Sequence, residues 1–165
     1  MKKTIGDGYK TISICFSFRH NAEVQKLIGF FEENGLKVLT PKKAKVINPG
    51  EPFARFEGEE NIPAYELEQN HLDNAINSDI VYIYNERGAK LGTSVSLELG
   101  QLILSGKEFV FKEDPNEPML SRKLKVMSPK QLVGHIKGYN AMLTARNFFD
   151  QDREPPGPQP HDKLL

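Results

Sequence analysis

The stretch "DIVYIYNERGAKLGTSVSLELGQLILSGKEFVFK", residues 79–112, decides the fold. Its opening, DIVYIYN, is apolar, β-branched and aromatic, which is the composition of a buried strand. After the short loop NERGAK, the residues from about 93 to 105 read as a helix, and EFVFK (108–112) reads as a second strand. One acid, Glu98, lies inside that otherwise uncharged helical run. A carboxylate in a buried helix is costly unless something requires it.

Upstream the same alternation recurs. TISICFS (11–17) predicts a buried strand, and residues 20–34 carry Val24, Leu27, Ile28 and Phe31 at the spacing of one helical face. Asn34-Gly35 ends that helix, and LKVLT (36–40) predicts a second strand. An irregular stretch follows over 41–61, with Pro41, Pro49, Gly50, Pro52 and Gly58, and loops of that length in compact domains are commonly functional. A helix is expected over 62–77, with Tyr65, Leu67, Leu72, Ala75 and Ile76 as its buried positions. Downstream, LKVM (124–127) predicts a weaker strand before a last helix that starts at Ser128-Pro129. The order predicts an α/β fold: a flavodoxin-like or Rossmann-like three-layer sandwich around a five-stranded parallel sheet. Residues 1–149 form the domain, and the proline-rich tail over 150–165 is expected to be flexible.

Composition narrows the function. Lys plus Arg and Asp plus Glu both number 22, so a strongly basic nucleic-acid surface is not indicated. No apolar stretch approaches the roughly 20 residues of a membrane span, and the lysines of MKKTIGDGYK precede no apolar signal region. Cys15 is the single cysteine, which excludes an internal disulfide and a thiolate-based structural zinc site. The expectation is a cytoplasmic protein without a cofactor or a metal, whose partner is a small molecule rather than nucleic acid or membrane.

In a parallel sheet of this kind, ligands bind beyond the carboxyl ends of the strands. That rule selects 16–20, 41–61, 85–96 and 113–122 before any motif is considered. Asn85 and Gly92 fall in the third of these segments and are candidate ligand-binding positions. Glu98 lies in the second turn of its helix, close to that mouth, and Ser94 can share its face. The unpaired amides of the first turn attract anions. A carboxylate held there can attack an anomeric carbon and form a glycosyl-enzyme ester. Alternatively, Glu98 is a helix-surface acid favoured by the macrodipole.

Glu98, Leu99 and Gly100, followed by Gly106, Lys107 and EFVF, together with NSDIVYIYNE before them, resemble the nucleoside 2-deoxyribosyltransferase superfamily. The resemblance covers roughly 11–127 and is specific around 79–112. It implies that Glu98 is the nucleophile at the anomeric carbon of a nucleoside or nucleotide. The loop FSFRHN places Ser17 and Arg19 in a Ser-x-Arg arrangement similar to the phosphate-gripping loop of the branch that hydrolyses nucleoside 5′-monophosphates. Arg suits that role, being permanently charged and able to make two parallel hydrogen bonds. Ser94 and Ser96 flank Glu98 and offer further donors, while Phe16 and Phe18 offer walls for a base. Ser121 stands where the hydrolases offer a serine from a neighbouring subunit, so the resemblance also implies a homodimer or higher homo-oligomer.

Two positions depart from the family. His71 stands where many members carry an aspartate, and a histidine can serve as acid or base near neutral pH. Gly92 stands where the transferases often carry another acid. The leading expectation is cleavage or transfer at the N-glycosidic bond of a nucleoside or nucleoside 5′-monophosphate. Two alternatives stay open: a nicotinamide-nucleotide hydrolase, and a non-enzymatic nucleotide-binding module of the same fold. Phosphoribohydrolases with a Gly-Thr-x-x-Glu loop are opposed, since Gly92-Thr93 is followed by Ser96 at the glutamate position.

Overall fold

A computed structural model of the chain describes residues 8–51, 53–120 and 124–151. In chain order the elements are β1 (Thr11–Phe16), a 3-10 turn (Phe18–His20), α1 (Asn21–Glu33), β2 (Lys37–Thr40), α2 (Ala64–Asn77), β3 (Ile80–Tyr84), α3 (Thr93–Leu104), β4 (Phe109–Phe111), a second 3-10 turn (Pro118–Leu120) and α4 (Pro129–Gln151). All strand pairs are parallel, and the spatial order is β2-β1-β3-β4.

The five-stranded expectation is corrected to four among the described residues. The stretch 124–127 runs beside β4 but makes a single parallel bridge, Phe111 to Val126. Two backbone hydrogen bonds hold it, from the Phe111 amide to the Lys125 carbonyl (2.8 Å) and from the Met127 amide to the Phe111 carbonyl (2.9 Å). Further pairing fails because β4 is only three residues long, and Pro129, which lacks an amide hydrogen, turns the chain into α4.

The period-two alternation of the central strands creates three layers. Ile12, Ile14, Ile80, Tyr82 and Val110 face one side, where α1 supplies Val24, Leu27, Ile28 and Phe31, and α4 supplies Leu132, Val133 and Ile136. Cys15, Val81, Ile83, Phe109 and Phe111 face the other side, against Ala75 of α2 and Val95, Leu99 and Leu102 of α3. α3 ends in a Schellman motif: Gly106 takes φ 68°, its amide donates to the Ile103 carbonyl (3.1 Å), and the Lys107 amide donates to the Leu102 carbonyl (2.9 Å). The Lys107 ammonium donates to the Ser78 carbonyl, which places the Gly-Lys pair at the amino ends of β3 and β4. No helix among the described residues is long and apolar enough to cross a membrane.

α2 buries less than its sequence predicts. Ala75 alone is fully covered, and Tyr65 is 77 % exposed. The first turns of the helix border an open cavity, so Leu67 lines that cavity instead of the core. The irregular stretch 41–61 is also more ordered than its composition suggests. Val46 and Phe56 form an antiparallel bridge, with the Ile47 amide donating to Arg55 (3.0 Å) and the Glu57 amide to Lys45 (2.9 Å). Asn48 closes the hairpin by donating to the Phe53 carbonyl (2.7 Å) and accepting from the Arg55 amide (2.6 Å). Arg55 then donates to the Glu59 and Ile62 carbonyls.

β3 and β4 are joined past their ends by a side chain. The Asn85 amide group donates to the Glu113 carbonyl (2.8 Å) and accepts from the Glu113 amide (3.0 Å), extending the ladder by one pseudo-residue. Asn85→Ala leaves both backbone groups without that partner and is expected to cost about 1–3 kcal/mol, measured as a lowered urea midpoint at unchanged slope. An unchanged midpoint would show that water replaces the clamp without loss.

Candidate active site

β1 leads outward to β2, whereas β3 and β4 lie on its other side, so the strand order reverses between β1 and β3. The crevice at that point is where an open α/β sheet binds ligands. A cavity of about 380 Å³ opens there, lined from the end of β1, from 39–42, from the hairpin, from α2 and from the start of α3.

Glu98 reaches the cavity from the buried stripe of α3. Val95, Glu98, Leu99 and Leu102 share that stripe at helical spacing, and the first and last two pack into the core. Glu98 is only 7 % exposed, so the surface-acid alternative is set aside. Leu97 does not help anchor the helix; it is 69 % exposed on the opposite face. Gly92 caps α3 without a side chain, and the first amide to pair inside the helix is that of Ser96, on the Gly92 carbonyl (2.9 Å). The amides before it face the cavity end of the helix, where an anion is favoured.

Around Glu98 stands a polar cluster drawn from separate elements. His71 of α2 holds its Nδ1 2.6 Å from the Thr40 hydroxyl at the end of β2. Its Nε2 faces inward, 3.7 Å from Glu98 Oε2 and 3.8 Å from Cys15 Sγ. Among the described residues, Glu98 Oε2 is a buried oxygen with no hydrogen-bond partner. Glu68 lies one helical turn before His71 on the same face of α2 and also lines the cavity. Burial, and then the neighbouring Glu98 carboxylate, push the Glu68 carboxyl above the usual range, opposed by His71. Burial also pushes the Cys15 thiol up, with Glu98 adding to the effect.

The remaining walls divide by chemistry. Phe16 and Phe18 from the first strand end and Phe53 and Phe56 of the hairpin all line the cavity. Ser17, Gly92, Thr93 and Ser94 line the helix end, and a side-chain carbon at Gly92 would sit 3.8 Å from the Ser17 hydroxyl. Lys42 is a cation of the lining, 3.3 Å from Glu59. Glu59 is buried, and its carboxylate accepts from the Phe56 amide (2.9 Å) and pairs with Lys42.

Of the residues singled out in the sequence, Glu98, His71, Phe16, Ser17, Phe18, Gly92 and Ser94 line this one cavity. Arg19, Asn85 and Ser96 do not. The 3-10 turn after Ser17 swings Arg19 outward, where its Nε donates to His20 Nε2 (3.1 Å) and its guanidinium lies 3.7 Å from Glu86. His20 is buried beside Tyr84. Asn85 is occupied with Glu113, as described above. Ser96 is exposed and donates back to the Gly92 carbonyl (3.0 Å). Ser121 lies outside the described residues. Residues not anticipated are Glu68, Thr40, Cys15 and Lys42. Only Glu68 had a local signal, its position three residues before His71 on an amphipathic helix.

No protein-family model matches the chain, and no curated protein matches it. Among solved structures, one titled as Clostridium botulinum CMP N-glycosidase, BcmB, is similar over 78 % of this chain and 98 % of that chain, with 14 % sequence identity and a TM-score of 0.48. A likeness of that strength carries no conclusion about activity.

The Glu68 shift has a consequence for stability. A carboxyl whose folded-state value lies above its unfolded value binds its proton more tightly in the folded chain. Stability therefore falls as pH rises from the ordinary carboxylate range through the raised value of Glu68. Glu68→Gln is expected to remove that fall, seen in urea unfolding followed from about pH 4 to about pH 8. Identical pH slopes in the two proteins would contradict it.

Proposed function

We propose that the chain cleaves the N-glycosidic bond of a nucleoside or nucleoside 5′-monophosphate, with Glu98 as nucleophile. The observation that carries this reading is the buried, unpartnered Oε2 of Glu98 at the floor of the switch-point cavity. Such an oxygen loses the solvation of water and gains no compensating bond, so it is poised to stabilise positive charge. An oxocarbenium-like sugar carbon develops that charge in the transition state.

In the reaction, Oε2 bonds to C1′ as the C1′–N bond breaks, and the base leaves with the bonding pair and a proton. Glu68 is suited to donate that proton, because its raised value keeps more of it protonated near neutral pH than an ordinary glutamate. Water, or a second base, then attacks C1′ of the ester; Glu68 takes the proton of the attacking water and Glu98 is released. His71, anchored through Thr40, holds its Nε2 beside the nucleophile. The four phenylalanines of the cavity lining suit a base, through their aromatic faces. The uncapped start of α3, with Ser17 and Ser94, suits the 5′ end or its phosphate. The sequence resemblance around Glu98 points to the same chemistry.

The test is chromatography of free base after incubation with ribo- and deoxyribonucleosides and their monophosphates. Glu98→Gln is expected to lower base release on the order of 10³-fold while ligand binding persists. Rapid-quench mass spectrometry of the wild type should show a chain carrying one glycosyl unit. Base release that is unchanged in Glu98→Gln would remove the nucleophile assignment.

His71→Gln and Glu68→Gln separate the two helix α2 groups. Glu68→Gln is expected to abolish the loss of kcat at high pH and to lower kcat about 10²–10⁴-fold. His71→Gln should retain that alkaline limb. The reverse pattern would make His71 the proton donor.

A further inference from the structure

We infer that Cys15, His71 and Glu98 form a binding site for a thiophilic divalent cation, zinc being the natural occupant, at the floor of the cavity. Among the described residues, one ligand atom from each of these three lies within 4.8 Å of the other two. Nε2 of His71 is 3.7 Å from Glu98 Oε2 and 3.8 Å from Cys15 Sγ. Ligand atoms around a tetrahedral zinc at its usual bond lengths stand about 3.3–3.6 Å apart, so these two pairs need to close by only a few tenths of an ångström.

Four further observations fit a cation. The Glu98 oxygen is buried, and its side chain is 8 % exposed with no hydrogen-bond partner for Oε2 among the described residues. His71 already has its other nitrogen on a hydroxyl, at 2.6 Å from Thr40 Oγ1. In the tautomer whose Nδ1–H donates to that oxygen, Nε2 is free to ligate, the usual outer-shell arrangement of a metal-bound histidine. The charges also close, since thiolate plus carboxylate plus a dication is neutral, which removes the penalty of a lone buried carboxylate. Finally, His71 and Glu98 line the cavity, so a fourth position opens toward a water or ligand.

Binding proceeds by loss of the thiol proton to water in the cavity and formation of metal–sulfur, metal–nitrogen and metal–oxygen bonds. No electron is transferred. Sulfur and imidazole donors select zinc or cobalt over magnesium or calcium. The consequence for activity rests on the reading of Glu98 as nucleophile: once ligated, its oxygen no longer attacks C1′, and zinc acts as an inhibitor. Binding itself stands on the geometry alone.

The test is titration of the full chain with Co²⁺, followed by absorption spectroscopy, without any nucleotide. A thiolate-to-cobalt charge-transfer band is expected, saturating at one equivalent, displaced by Zn²⁺ and unaffected by Ca²⁺ or Mg²⁺. Proton release should accompany binding. Cys15→Ala should lose the band, and Thr40→Val should keep it with affinity weakened about 10–100-fold. Absence of the band in the wild type, or its survival in Cys15→Ala, would overturn the site. The Thr40→Val shift and Zn²⁺ displacement from the wild type decide the matter if Cys15→Ala does not fold. In the base-release assay, Zn²⁺ should inhibit the wild type and spare Cys15→Ala. A chain that shows the band yet releases no base keeps the metal site and loses the nucleophile; base release without the band does the reverse.

Discussion

The carboxylate of Glu98 occupies a position that the packing of α3 would otherwise give to an aliphatic side chain. Val95, Leu99 and Leu102 bury the helix against Val81, Ile83, Phe109 and Phe111, and Glu98 is carried into the same interface by the helical repeat. Placing an acid there costs solvation that no hydrogen bond returns to Oε2. The elements around it are arranged in response: α2 turns His71 and Glu68 toward it, β2 supplies Thr40 to hold the imidazole, and β1 places Cys15 beneath it. Both the nucleophile and the metal readings draw on this one unsatisfied oxygen.

The position of that oxygen follows from topology. Strand order reverses between β1 and β3, so the segments leaving their carboxyl ends diverge and a cavity remains between them. α3 begins at the rim of this gap with an uncapped turn, and its second turn brings Glu98 to the floor. The hairpin within 41–61 adds Phe53 and Phe56 to the lining, and Arg55 and Asn48 brace it through backbone bonds. Four aromatic rings, the start of α3 and Lys42 therefore line the same cavity as the acid cluster.

Much of this was legible along the chain. The strand and helix elements appear close to their expected places, and the buried face of α1 is the one that its periodicity marks. Where expectation and structure differ, a neighbour distant in sequence decides. Tyr65 and Leu67 look like core residues on an amphipathic helix, yet the start of α2 borders the cavity. Arg19 looks like a phosphate clamp, yet Glu86 and His20 hold it outside. The fifth strand has strand composition but only a short partner to pair with.

By itself the sequence determined the order of elements, the two faces of the sheet and the presence of an acid in an apolar helix. Those features depend on periodicities of two and 3.6 residues, which are written between near neighbours. The tertiary structure alone decided the company that the acid keeps. Cys15, Thr40, Glu68 and His71 meet Glu98 only because β1, β2, α2 and α3 dock on one side of the same sheet end. No spacing along the chain encodes that meeting, since it is set by how helices pack over strands. Seven of the candidate residues share the cavity by the same docking, and Arg19 is excluded from it by one 3-10 turn.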